Sequence, residues 1–199
     1  MIPLIQQTLR GAIVALFLAA SIGVGATEPV GDALASDSVY QLDIALTDQN
    51  DRARTFASQR GRVSLVSMFY ATCRFTCPLI IDALRQTEQA LDAEARARLA
   101  VLLVSFDPEQ DTPEELLALA VQRKLDLQRW TLARTESANV RTLAAILDIR
   151  YRELPDGEFS HTSPLILLDA QGRILARTDV LGKADPAFVE AVRQALTIR

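Results

Sequence analysis

Both cysteines of the chain lie in one stretch, Met68-Phe69-Tyr70-Ala71-Thr72-Cys73-Arg74-Phe75-Thr76-Cys77-Pro78. Residues four apart on a helix share a face, with Cα atoms roughly 6 Å apart at 1.5 Å rise per residue. That separation admits a disulfide. A structural staple is the plainest use, but so short a ring gains only about 2 kcal/mol by chain entropy, against about 4.7 for a long loop. A reversible dithiol, or a pair of soft thiolate ligands for a metal, uses the spacing better. Pro78 suits the first helical position, where its missing N–H costs nothing. Cys77 would then sit at the helix N-terminus, where backbone N–H groups and the dipole favour a thiolate.

The third candidate is His161, the single histidine. A lone histidine is ordinarily a surface or satisfied polar residue. This one follows the Asp156-Gly157 turn and opens onto the apolar run Leu165 to Leu168, which can pass close to the dithiol loop. Two thiolates and an imidazole make a soft, three-coordinate set. It suits Cu(I) better than zinc, whose structural sites normally close with four ligands.

The elements that must position these groups can be read from the pattern. Val39 to Leu46 alternates as a strand does, and Thr47 to Asp51 is a turn cluster. Val63 to Tyr70 and Leu99 to Phe106 are continuous β-rich runs, as for strands buried on both faces. Between them Leu79, Ile80, Ala83, Leu84, Thr87 and Leu91 recur at helical spacing. Thr112-Pro113-Glu114-Glu115 is a helix start, with Thr112 as cap and Glu115 completing a capping box; the helix runs to about Lys124. Trp130 to Ala133 reads as a strand, and Ser137 as the cap of a helix carrying Val140, Leu143, Ala144 and Leu147. Ile149 to Leu154 and Phe159 to Thr162 form a hairpin across Pro155-Asp156-Gly157; Leu165 to Asp169 and Arg173 to Arg177 form another. Asp185-Pro186 starts the last helix, ending near Ile198. This order is an α/β sandwich of thioredoxin type, a central mixed sheet flanked by helices. The dithiol loop falls at the C-terminal end of an early strand, where open α/β sheets place their sites.

The 199 residues suit one domain plus a targeting segment. Residues 1–26 resemble a secretory signal or membrane anchor: Arg10, then an uncharged apolar run from Gly11 to Gly25, then small residues at Val24-Gly25-Ala26. That run is shorter than the ~20 residues of a spanning helix, which favours cleavage or loose anchoring. Residues 27–38 read as a linker and 39–199 as the domain. The expected location is the periplasm or the extracytoplasmic face of the membrane, where a dithiol tends to oxidise. The net charge of −4, without a basic stripe, gives no reason to expect a nucleic-acid partner.

Three motifs together resemble the Sco/SenC family: Thr72-Cys73 with Cys77-Pro78, then Val104-Ser105-Phe106-Asp107-Pro108 with Asp111-Thr112-Pro113-Glu114, then His161-Thr162 leading to Leu168-Asp169-Ala170-Gln171-Gly172. The resemblance covers about residues 39–198. It implies a thioredoxin-like domain, exported or membrane-tethered, that binds copper as Cu(I), or as Cu(II) with an added ligand, through Cys73, Cys77 and His161. It also implies a metallochaperone rather than an enzyme. Such a protein serves the dinuclear copper centre of cytochrome c oxidase as copper donor, as reductant of the target's cysteines, or both. Its partners would be the oxidase copper subunit and an upstream copper donor or thiol reductant. Two features depart from the family. Arg74-Phe75-Thr76 replaces a spacer that is often acidic, favouring thiolates and altering the docking partner. Pro164 follows His161 closely, and a cis Ser163-Pro164 bond facing the dithiol would shift the balance toward thiol–disulfide exchange.

The alternative is a thiol–disulfide oxidoreductase without a metal role, in which one cysteine attacks a target disulfide and the other resolves the mixed disulfide. A thiol peroxidase fits poorly, because Arg74 and Tyr70 stand where that pattern wants threonine and proline.

Overall fold

The computed structural model describes residues 34–197 apart from Asp156 and Glu158. The expected leader, residues 1–26, the first part of the linker and Ile198 lie outside the described residues. The strands are β1 (Ala45–Asp48), β2 (Ala53–Thr55), β3 (Ser64–Phe69), β4 (Ala100–Ser105), β5 (Trp130–Arg134), β6 (Tyr151–Glu153), β7 (Phe159–His161), β8 (Leu165–Leu168) and β9 (Ile174–Thr178). The helices are α1 (Thr76–Gln89), α2 (Ala93–Arg98), α3 (Pro113–Gln122), α4 (Ser137–Ile146) and α5 (Pro186–Thr197).

Seven strands form one mixed sheet in the order β2-β1-β5-β4-β3-β8-β9, and β6 and β7 form a separate two-stranded ribbon. β3 and β4 are parallel, paired from Ser64↔Ala100 to Phe69↔Ser105. Every residue of both strands is buried, as their unbroken apolar composition requires for central strands covered on both faces. The parallel step needs a crossover, and α1 and α2 supply it. α1 packs on β3, α3 on β5 and β1, and α5 on β9. This is the expected thioredoxin-type sandwich. No helix of the described residues is long and apolar enough to cross a membrane.

Three local expectations are corrected. The strand expected over Val39 to Leu46 is split: Val39–Gln41 is a 3₁₀ turn and the strand begins at Ala45. The cause is tertiary. The Val39 N–H donates to the Gly172 carbonyl, and Tyr40 packs against Gly172 so closely that a Cβ there would lie 2.4 Å from its ring. Gly172 also has φ +82°, so a larger residue is excluded by space and by backbone. The helix after the dithiol starts at Thr76, two residues before Pro78, which the first turn tolerates because its N–H groups lack intrahelical partners. Ser137 is the first residue of α4 rather than its cap; Glu136 holds that position without a side-chain bond.

Other boundaries agree. Thr112 Oγ1 accepts from the Glu115 N–H and Asp185 Oδ1 from the Ala187 N–H. The short helix α2 was not read from the sequence, although Asp92 caps it by accepting from the Ala95 N–H at 2.8 Å. The small hairpin of β1 and β2 was also missed; its turn is closed by Asp48, which accepts from the N–H groups of Asn50 and Arg52.

Candidate metal centre

The dithiol turn leaves the buried end of β3 and is bounded by the first turn of α1. Phe75 is the N-cap residue of α1, and its side chain cannot accept a hydrogen bond. The sulfur of Cys73 takes that role: the Cys77 N–H donates to it at 3.3 Å, and the Phe75 N–H also points to it. Cys73 is 9% exposed and Cys77 3%. Both are free thiols.

Cys77 lies in the first turn of α1, as expected, while Cys73 accepts the hydrogen bonds from that turn. The hydrogen bond from the Cys77 thiol, followed by that from His161 and those from two backbone N–H groups, draws the Cys73 thiol far below its ordinary value against the effect of burial. Donation to Cys73 and burial instead push the Cys77 thiol up. The hydrogen bonds thus favour the charged form at Cys73 and the protonated form at Cys77.

His161 ends β7, and its register partner is Tyr151. Its Nδ1 lies 2.9 Å from Ser163 Oγ and 3.1 Å from the Thr162 carbonyl. A carbonyl only accepts, so Nδ1 carries a proton where it bonds Thr162, and a metal held at Nε2 would take the place of the proton the ring gives to Cys73. The ring lies 4.9 Å from Phe106 and 6.0 Å from Tyr70 between centroids. Phe106 in turn stacks on Tyr151 at 5.0 Å, and Tyr70 meets Phe159 edge-on at 5.1 Å. Aromatic contacts therefore join the ribbon to the ends of β3 and β4.

One ligand atom from each of Cys73, Cys77 and His161 lies within 4.8 Å of the other two. The three positions singled out from the sequence are brought together, although His161 lies 84 residues after Cys77. Two sulfurs and an imidazole are donors suited to a soft, low-coordinate ion. The Ser163–Pro164 bond is trans, like every other peptide bond described, so the cis-proline signature of a dithiol exchange site is not present here.

Several contributors were missed. Asp111, 1% exposed, accepts from the Ala71 N–H at 3.0 and 3.2 Å and from the Ser105 hydroxyl. It ties the dithiol turn to the end of β4. Burial pushes its carboxyl up, and those hydrogen bonds draw it only part of the way back. Asp111 stands in the second of the three motifs, but its residue type and spacing pointed to no role at the dithiol turn. The aromatic set and Ser163 gave no signal, because aromatic residues near strand ends are ordinary core.

Fold and site together define a thioredoxin-like protein carrying a thiolate–thiolate–imidazole cluster able to hold a metal ion. The SCO1/SenC family profile matches residues 33–197. The chain belongs to that family. It is 32% identical over 79 residues to a Stutzerimonas stutzeri protein named for copper binding, a match spanning 40% of this chain and only 38% of that relative. It is 24% identical over 178 residues to a SCO1 homologue of Bacillus subtilis, 84% of each protein. The copper-bound structure of Bradyrhizobium japonicum ScoI superimposes with a TM-score of 0.63 at 22% identity, over 79% of this chain and 98% of that one; this likeness supports the fold.

Proposed function

We propose that the protein is an extracytoplasmic copper metallochaperone that holds one Cu(I) through Cys73, Cys77 and His161 and delivers it to a cuproenzyme, the copper subunit of cytochrome c oxidase. The observation that carries this reading is the convergence of the three ligand atoms within 4.8 Å. The copper named for one relative and bound in a solved neighbour, together with membership of the SCO1/SenC family, supports copper as the ion.

The residues supply what such a cargo needs. Cys73 offers a ready thiolate, and Cys77 must lose its proton as the ion binds. Ser163 and the Thr162 carbonyl fix the imidazole so that Nε2 faces outward from its anchor. Release proceeds by ligand exchange, one thiolate at a time, to the acceptor's ligands.

The same dithiol can reduce the acceptor's cysteines. The Cys73 thiolate attacks one sulfur of the target disulfide and expels the other as a thiolate. Cys77, deprotonated, then attacks Cys73 Sγ and releases the second target sulfur. Two electrons pass to the target, and the chain is left with a Cys73–Cys77 disulfide. The thiolate character of Cys73 supports it as the attacking residue. An upstream reductant would restore the dithiol.

Titrating the reduced protein with Cu(I) tests the reading. One ion per chain is expected, with loss of affinity in His161→Ala. Equal affinity in parent and His161→Ala would remove the imidazole from the site.

A further inference from the structure

Among the described residues the exposed large apolar side chains are Phe75, Leu79, Val121, Leu127 and Leu175. Phe75 is the most exposed, at 82%, and it lies between the two sulfur-bearing residues. Among the described residues nothing uses this side chain: it makes no cap bond, and α1 would start equally well from many residues there. Leaving a phenylalanine in water forgoes the stabilisation that its burial would bring. A surface this apolar beside a buried site is explained by a partner that covers it.

The surroundings define the patch. Leu79, 44% exposed, lies one turn along α1 from Phe75. The loop between β9 and α5 closes its far side: the Gly182 N–H donates to the Leu79 carbonyl at 3.0 Å, and Gln86 donates to the Gly182 carbonyl at 2.8 Å. Arg74, between Cys73 and Phe75, is exposed and has no ion pair or hydrogen bond among the described residues. Lys183 is exposed on the adjoining loop.

We propose that Phe75, backed by Leu79 and flanked by Arg74, is the docking surface for the protein that accepts the copper, which presents an apolar socket bordered by a carboxylate. The inference rests on the copper-donor reading above. Ligand exchange requires the acceptor's ligand atoms to reach an ion held at two sulfurs that are 9% and 3% exposed, with Phe75 standing out between them. Phe75, two residues from each cysteine, offers such a partner an apolar contact beside the ion. A second copy of this chain fits poorly: a two-fold contact through this face would oppose Arg74 to Arg74 and seal both sites. The acceptor's carboxylate follows from the unpaired guanidinium, whose fork matches a carboxylate geometry.

The test measures Cu(I) transfer from the full chain to the reduced, soluble copper-site domain of the oxidase subunit from the same organism. Cu(I) affinity is measured in parallel by competition with a chelator. Phe75→Ala is expected to slow second-order transfer about 30-fold, the scale of an aromatic hot spot. Arg74→Glu should slow it about tenfold, with most of the loss removed by salt. Phe75→Ala should bind Cu(I) as the parent does, and the Arg74→Glu rate is read against that variant's own Cu(I) affinity, because the charge adjoins Cys73. If the parent transfers copper and Phe75→Ala transfers it equally fast, the docking surface is refuted while the donor reading stands. If the parent binds Cu(I) but transfers none to this domain, the chosen recipient is wrong and the docking proposal falls with it. Concentration-dependent dimerisation of the parent, or sedimentation with anionic vesicles, abolished by Phe75→Ala while transfer is unaffected, would assign the face to a second copy or to a lipid surface and overturn the proposal.

Discussion

The sulfurs and the imidazole come from regions built in opposite ways. The dithiol turn hangs from β3, which is buried along its whole length and paired on both sides, to β4 over six residues and to β8 over three. His161 ends a ribbon of two three-residue strands, whose residues are all partly or fully exposed. An isolated two-stranded hairpin is marginal in water. This one is held by the Thr162 N–H to the Arg150 carbonyl, by the Arg150 N–H to Thr162 Oγ1, and by the aromatic stack on Phe106 and Tyr70. The difference suggests a division of labour. The sulfurs are fixed by the core, and the imidazole is the group of the proposed site whose position the protein can adjust at low energetic cost.

The sharpest way to break this contrast is through the sulfurs. Cys77→Ser should abolish measurable Cu(I) binding in a chelator competition, because an alcohol is a poor ligand for a soft ion. Retained binding would mean the core-anchored half is not the essential one. Phe106→Ala attacks the join between the two regions. It should lower stability by about 3 kcal/mol or more in urea unfolding. It should also speed hydrogen exchange at Arg150 and Thr162 before that of β3 amides. Equal acceleration in both regions would show that they unfold as one unit.

Ser163→Ala probes the imidazole side alone. Loss of an outer hydrogen bond to a ligating histidine commonly costs 10- to 100-fold in metal affinity, and that is the expected fall here, with the unfolding midpoint nearly unchanged. The smallest effect concerns Asp48, distant in the sheet order at the β1–β2 turn. Burial raises its carboxyl, but the Arg54 guanidinium and the N–H groups of Asn50 and Arg52 outweigh it and hold the value below the ordinary one. Its stabilising contribution is therefore complete above the ordinary carboxylate range and fades as pH falls through the lowered folded value. Asp48→Asn should be less stable than the parent at pH 7, and the gap should shrink on acidification. In a double variant with Ser163→Ala the two losses should add; coupling would mean the sheet edge and the ribbon communicate.

Local patterning made much of this legible. The runs Val63 to Tyr70 and Leu99 to Phe106 had the composition that only doubly covered strands carry, and both are buried throughout. The run from Leu79 onward kept helical period, and Thr112 and Asp185 carried start signals that the structure uses. Val39 to Leu46 misled, because its alternation matched a strand while Tyr40 was committed to Gly172 far along the chain. Which sulfur attacks was left open by the sequence, because it depends on which backbone N–H groups the first turn of α1 turns toward Cys73.

The sequence by itself determined the strand–turn–helix that carries both sulfurs, since residues a few positions apart interact through the backbone geometry they share. It also placed the lone imidazole at a strand entry. Only the tertiary structure decided that His161 meets Cys73 and Cys77, that Phe106 and Tyr70 support the ring, and that Asp111 lies buried under the turn. Those contacts join segments tens of residues apart through burial and packing, which leave no periodic trace along the chain.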